Sequence, residues 1–243
     1  MPGSGGKPQH SMASLSEGLF SMDGKAFVEQ LKAENEKFLS KLDAVPLMNS
    51  LSAAKGGALG GLAALLKIAL KNEIEAAEIA ASWVPTTPEI DAKLALARHA
   101  GDEARHYQLL AEKVRALGVS LEGFDPLAPP SPVLAYLRTL DTAVERVAAA
   151  LVAREAMGAR RNAQFLKFLE AAGQKEIARL YRDVINPDEE RHHQAGCAVL
   201  AQLASTPAAQ DSARRAAARL LEIGDQARSA AMEKTGAPVI PGC

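Results

Sequence analysis

A five-residue pattern, Asp-Glu-x-Arg-His, occurs twice in this chain. It reads Asp102-Glu103-Ala104-Arg105-His106 in the first copy and Asp188-Glu189-Glu190-Arg191-His192 in the second. Both copies sit in stretches whose apolar residues recur every three or four positions, the spacing of an α-helix. Residues three apart share a helix face, so each copy presents one carboxylate and one imidazole to a single point. Each pair falls on the apolar stripe of its helix, where a charge without a partner costs several kcal/mol. Two such pairs plus two further inward glutamates make the dinuclear carboxylate site built into some four-helix bundles. The chain is therefore expected to be all-α, with four helices arranged around a metal-binding core.

The spacing divides the 243 residues as follows. Residues 1–22 are Gly/Ser-rich and read as a flexible tail. Residues 23–58 hold an accessory helix and a loop, and residues 59–205 hold the four core helices. Residues 206–243 hold a last Ala-rich helix, opened by Thr206-Pro207, and an irregular tail. The first core helix is predicted over Leu59 to Val84, with the buried stripe Leu62, Leu66, Ala69, Glu73, Ala76, Ala80. The second runs from Pro88 to Leu117 and buries Ala92, Leu96, His99, Glu103, His106, Leu110 and Val114, until Gly118 ends it. Val119 to Pro130 is rich in Pro and Gly; stretched out, it covers roughly 40 Å. Such a crossover lets the third helix run parallel to the second. That third helix is predicted to run unbroken from Ser131-Pro132 to Leu169, with the stripe Val133, Leu137, Leu140, Val144, Ala148, Leu151, Glu155, Gly158, Phe165. The fourth buries Ile177, Tyr181, Ile185, Glu189, His192, Gly196, Val199 and Leu203. Pro187 should kink or locally break it just before the motif.

Register selects the candidate ligands. Glu73 and Glu155 each interrupt an apolar stripe, as Glu103, His106, Glu189 and His192 do. Glu78 shares a face with Lys67 and Lys71 and reads as a solvated charge; Glu75 is the fallback for Glu73. Glu190 and His193 have the same spacing as Glu189 and His192, but share a polar face with Arg179, Arg182 and Asn186. His99, one turn before Glu103, is either a pocket group or a hydrogen-bonded core histidine. Tyr181 reads as core packing with a redox role as the alternative, and Cys197 as a small buried hydrophobe. A pair of divalent ions would neutralise the carboxylates and use the imidazoles as ligands.

Bulk properties narrow the classes. The formal charge of −1 and pI near 6.5 give no electrostatic case for nucleic acid. Two cysteines make no disulfide framework. There is no apolar run of membrane-spanning length and no apolar leader near the start, so a cytoplasmic setting is expected.

At these residues the chain resembles the ferritin-like diiron-carboxylate superfamily: Glu, then Glu-x-x-His, then Glu, then Glu-x-x-His. The paired Asp-Glu-x-Arg-His is closest to bacterial diiron monooxygenases and hydroxylases. The resemblance covers about residues 59–203 and implies a ferritin-like four-helix bundle with one long crossover, flanked by accessory helices. It implies that Glu73, Glu103 and His106 bind one iron and that Glu155, Glu189 and His192 bind the other, Mn/Fe being the alternative pair. Asp102 and Asp188 would accept from the histidine of the opposite motif, assisted by Arg105 and Arg191. The function so implied is activation of dioxygen to oxidise a small organic substrate, with electrons from a reductase or ferredoxin. A homodimer is compatible with it. The rival reading is a ferroxidase, iron-handling or peroxide-scavenging protein; a tRNA-modifying hydroxylase ranks third.

Overall fold

The computed structural model describes residues 22–41, 57–235 and 241, and every regular element among them is helical. The tail expected over residues 1–22, apart from Met22, and the loop over residues 42–56 lie outside the described residues, as does most of the C-terminal tail. Helix α1 is Gly24–Leu39, capped by Asp23, whose side chain accepts from the backbone N–H of Lys25 and Ala26. Helix α2 is Gly57–Trp83 and α3 is Ile90–Ala116. After the crossover come α4, Pro132–Leu137, and α5, Ala143–Arg146. The chain continues from α5 through a π-helical segment, Val147–Arg154, into α6, Glu155–Ala171. Helix α7, Lys175–Leu180, passes through a second π-helical segment, Tyr181–Ile185, into α8, Asn186–Leu203. Helix α9 is Pro207–Thr235. No helix among the described residues is long and apolar enough to cross a membrane.

Side-chain contacts fix the helix directions. The short turn after Trp83 makes α2 and α3 an antiparallel pair. Arg146, at the start of the third long helix, donates to the Thr86 carbonyl and to the hydroxyls of Thr86 and Thr87, so that helix begins beside the α2–α3 turn. At its other end Phe165 and Leu169 pack with Leu110 and Val114 near the end of α3. The third helix therefore runs parallel to α3, as the long crossover requires. Lys71 holds that crossover by donating to the carbonyls of Pro126 and Pro129. Lys113 meets Glu176 at one end of the fourth helix, and Val199 and Leu203 line a cavity with Ile90 and Ala92 at the other. The fourth helix is thus antiparallel to α3.

The third helix departs from expectation. It is broken between Leu137 and Ala143 rather than continuous from Ser131. The reason is a restart signal that overrides the apolar stripe: Thr142 accepts from the Glu145 N–H while the Glu145 carboxylate accepts from the Thr142 N–H. Arg146 Nε also takes the Leu140 carbonyl, an acceptor that a continuing helix would use. Ser131 and Pro132 do start a helix, but it is the six-residue α4.

Pro187 lies inside a continuous helical run from Lys175 to Leu203, two residues after the π-helical segment Tyr181–Ile185, where the wider turn accommodates its missing N–H. The helix is thus not broken before the motif; its turn widens locally where the proline was expected to kink or break it. The π-helical segment before Glu155, Val147–Arg154, contains no proline.

Two apolar clusters flank the bundle's centre. One gathers Phe27, Trp83, Leu96, Leu137, Leu151 and Leu220, and the other Leu65, Leu110, Phe165, Leu169 and Tyr181. Along each long helix the acidic and imidazole residues fall between them. Helix α9 lies along the segment Val147–Arg154, and α1 lies against α8. The accessory helices thus cover the second half of the bundle.

Candidate metal centre

Each core helix delivers its side chains to this middle layer. Glu73 comes from α2, Glu103 and His106 from α3, Glu155 from the first turn of α6, and Glu189 and His192 from α8; all are buried. Their ligand atoms form two overlapping groups, and within each all atoms lie within 4.8 Å of one another. One group is Glu73, Glu103, His106 and Glu189; the other is His99, Glu103, Glu155 and His192. The sequence-predicted six are therefore brought together. The grouping is not a strict half-and-half division, because Glu103 belongs to both groups and Glu189 sits with Glu73.

The two motif histidines are held reciprocally. His106 Nε2 meets Asp188 Oδ2 at 2.9 Å, and His192 Nε2 meets Asp102 Oδ2 at 3.1 Å. An ionised carboxylate only accepts, so each Nε2 carries the proton and each Nδ1 is turned inward. There, His106 Nδ1 faces Glu73 Oε2 at 3.3 Å, Glu103 Oε2 at 3.8 Å and Glu189 Oε1 at 4.0 Å. His192 Nδ1 faces Glu103 Oε1 at 3.4 Å and Glu155 Oε2 at 3.6 Å. Neither Nδ1, and neither oxygen of Glu73, makes a hydrogen bond among the described residues. A lone pair converging with carboxylate oxygens from several helices is a repulsive arrangement unless a positive charge lies between them. The donor set therefore fits divalent cations.

In the metal-free chain, protons supply that positive charge. Burial, followed by the neighbouring Glu103 carboxylate, raises the Glu73 carboxyl to about 7. Burial and then Glu155 and Glu103 push Glu189 well above the carboxylate range. Burial opposes ionisation of Glu103 too, but His106, His192 and His99 override it and hold Glu103 well below its ordinary value. Glu155 is held low in the same way by His99 and His192. Burial disfavours the imidazolium of His106 and of His192, yet the facing carboxylates raise both to about 10. Four carboxylates and three imidazoles thus share protons at a point where two cations would do the same Coulombic work.

The structure also decides the alternatives. Glu75 is buried but turned away, accepting from the Ser131 N–H and hydroxyl and from Lys71. Glu73 is the residue at the centre. Glu78 pairs with Arg138 at the surface, in keeping with a solvated charge. His193 is half-buried and donates Nδ1–H to the Val152 carbonyl, outside both groups, with the half-buried Cys197 beside it. Tyr181 packs edge-on against Phe165, in keeping with a core role. Arg105 and Arg191 do not serve one aspartate each: both pair with the buried Asp188.

His99 is the residue that register left open. It is buried, and its Nε2 lies 3.1 Å from Glu103 Oε1 and 3.2 Å from Glu155 Oε1. The available signal was its place four residues before Glu103, on the same stripe as His106. A cavity of about 330 Å³ reaches the centre on this side, lined by Ala95, Arg98, His99, Asp102, Leu151 and Arg191 among others. No family model, curated protein or solved structure matches this chain.

Proposed function

We propose that this chain is a dinuclear metal oxidoreductase of the ferritin-like diiron-carboxylate kind, which uses two bound iron ions, or a manganese–iron pair, to activate dioxygen and oxidise a small organic substrate. The observation that carries this reading is the reciprocal Asp–His arrangement, with both inward Nδ1 atoms aimed at buried carboxylates. Glu73, His106 and Glu189 would hold one ion, Glu155 and His192 the other, and Glu103 would lie between them. Bound there, the metal pair supplies the electrons for a two-electron reduction of dioxygen.

The chain's own part is positioning and exclusion. Asp102 and Asp188 keep the proton on each Nε2, which leaves Nδ1 as the donor atom and strengthens it. The flanking apolar clusters close the centre on two sides, and the cavity beside His192 opens it on a third. The cavity beside His192 is large enough for a small molecule and carries Arg98 and Asp102 to orient it. A reductase or ferredoxin would restore the metals between turnovers, as in the enzymes the motifs resemble.

Protein loaded anaerobically with Fe(II) is expected to consume dioxygen in proportion to its bound metal pairs when opened to air. An oxygen-electrode trace with no uptake removes oxygen activation. Sustained oxidation of excess Fe(II), with mineral growing inside a hollow oligomer, would replace it with iron storage.

A further inference from the structure

We infer that His99 is a seventh protein ligand and that it makes the two metal positions chemically unequal, so that they select different divalent ions. The inference rests on the two-metal reading above. The inequality is already present in the repeat. Four residues before the motif glutamate, the first copy has His99 and the second has Ile185, a fully buried residue with no donor atom. On α3 the pattern is thus His-x-x-x-Glu-x-x-His, with all three side chains on one stripe.

The geometry puts His99 inside the centre rather than around it. Its Nε2 sits 3.1 and 3.2 Å from oxygens of Glu103 and Glu155, and its ring lies edge-on to His192 at 4.7 Å between centroids. Its Nδ1 is also buried and makes no hydrogen bond among the described residues. Its Nε2 is aimed at the two glutamates that flank one metal position, Glu103 and Glu155, as Nδ1 of His192 is. His106 and His192, by comparison, each have an aspartate behind them.

The result is one position with three carboxylates and one imidazole (Glu73, Glu103, Glu189, His106), and another with two of each (Glu103, Glu155, His99, His192). Imidazole suits iron, cobalt and zinc, whereas carboxylate-rich sites suit manganese. The His99 position should therefore take the later ion of the divalent series, and the Glu73 position should tolerate Mn(II). The cavity is lined by His99 and His192, so the imidazole-rich position is also the one reached from outside.

Metal-free full-length protein titrated with Co(II) and with Mn(II) tests this. Co(II) is expected to bind in two unequal steps, and X-ray absorption at one equivalent should count two imidazoles on cobalt. With one equivalent of each ion per chain, cobalt is expected at the His99 position and manganese at the other. His99→Ala should weaken the first Co(II) step by about 100-fold or more, beyond the range typical of a change outside the ligand set. Its second step should be unchanged, and circular dichroism reports whether the variant folds. If it does not fold, the imidazole count on the unaltered protein decides alone: two supports the inference and one overturns it. Two equal steps with one imidazole each, unaffected by His99→Ala, would overturn the inference while leaving the two-metal reading intact. No Co(II) or Mn(II) binding at all would instead remove that underlying reading.

Discussion

Replacing Glu103 by alanine is expected to empty both metal positions at once. Glu103 is the residue common to the two groups of converging ligand atoms. Its Oε1 lies near His99 and His192, and its Oε2 faces His106. Each position would lose one of four protein ligands, and binding should fall by much more than the roughly 10–100-fold typical of a change outside the ligand set. The loss is also felt without metal. Glu103 is the carboxylate that offsets three buried imidazoles, and breaking a buried ion pair destabilises by about 3–5 kcal/mol. Glu103→Gln keeps the shape, so it separates lost ligation from lost packing. Bound metal per chain, measured after dialysis, should drop to near zero in both variants. Glu73→Ala, by contrast, should retain one ion, because the group around Glu155 and His192 does not use Glu73. If Glu103→Ala keeps two ions, Glu103 does not lie between them.

Gly196→Val is expected to be strongly destabilising. Gly196 lies one turn after His192 on α8, where a Cβ would sit 2.5 Å from the Leu151 Cβ and 2.8 Å from the Leu151 carbonyl oxygen. The obstacle includes backbone of the segment Val147–Arg154, so no side-chain rotation relieves it. Overpacking of this kind costs typically about 1–3 kcal/mol; with backbone as the obstacle we expect the upper end, and His192 displaced with it. Gly101, in the middle of α3, is the control. A Cβ there meets nothing within 4 Å, so Gly101→Ala should stabilise by up to about 1 kcal/mol through helix propensity alone. Urea unfolding of both variants checks the pair. Equal effects of the same sign would mean that the close approach of α8 to the third helix is not as described.

Much of the centre was legible because buried charge interrupts a periodic apolar stripe. Glu73, Glu155 and the two Glu-x-x-His pairs each stand where spacing calls for an apolar residue, and all six are buried. Glu189 rather than Glu190 followed from the same register. The crossover's length gave the parallel run of the third helix. What escaped was local. The stripe of the third helix continues across Leu140, so periodicity hides the Thr142-x-x-Glu145 restart. The π-helical segments change the turn without a residue signature, apart from Pro187 near one of them. His99 was ambiguous because a stripe position says that a side chain is inside, not which atom it offers to which neighbour. The pairing of both arginines with Asp188 depends on how the helices are rotated against each other, which a single helix's pattern does not contain.

On the proposed function, the buried carboxylates and imidazoles of four helices converge because two cations belong between them. Anomalous diffraction from crystals of the iron-loaded protein tests it most directly. Two iron peaks per chain are predicted, one enclosed by Glu73, Glu103, His106 and Glu189 and the other by Glu103, Glu155 and His192. A map without an anomalous peak in that layer, with these side chains bonded only to one another or to water, would contradict it.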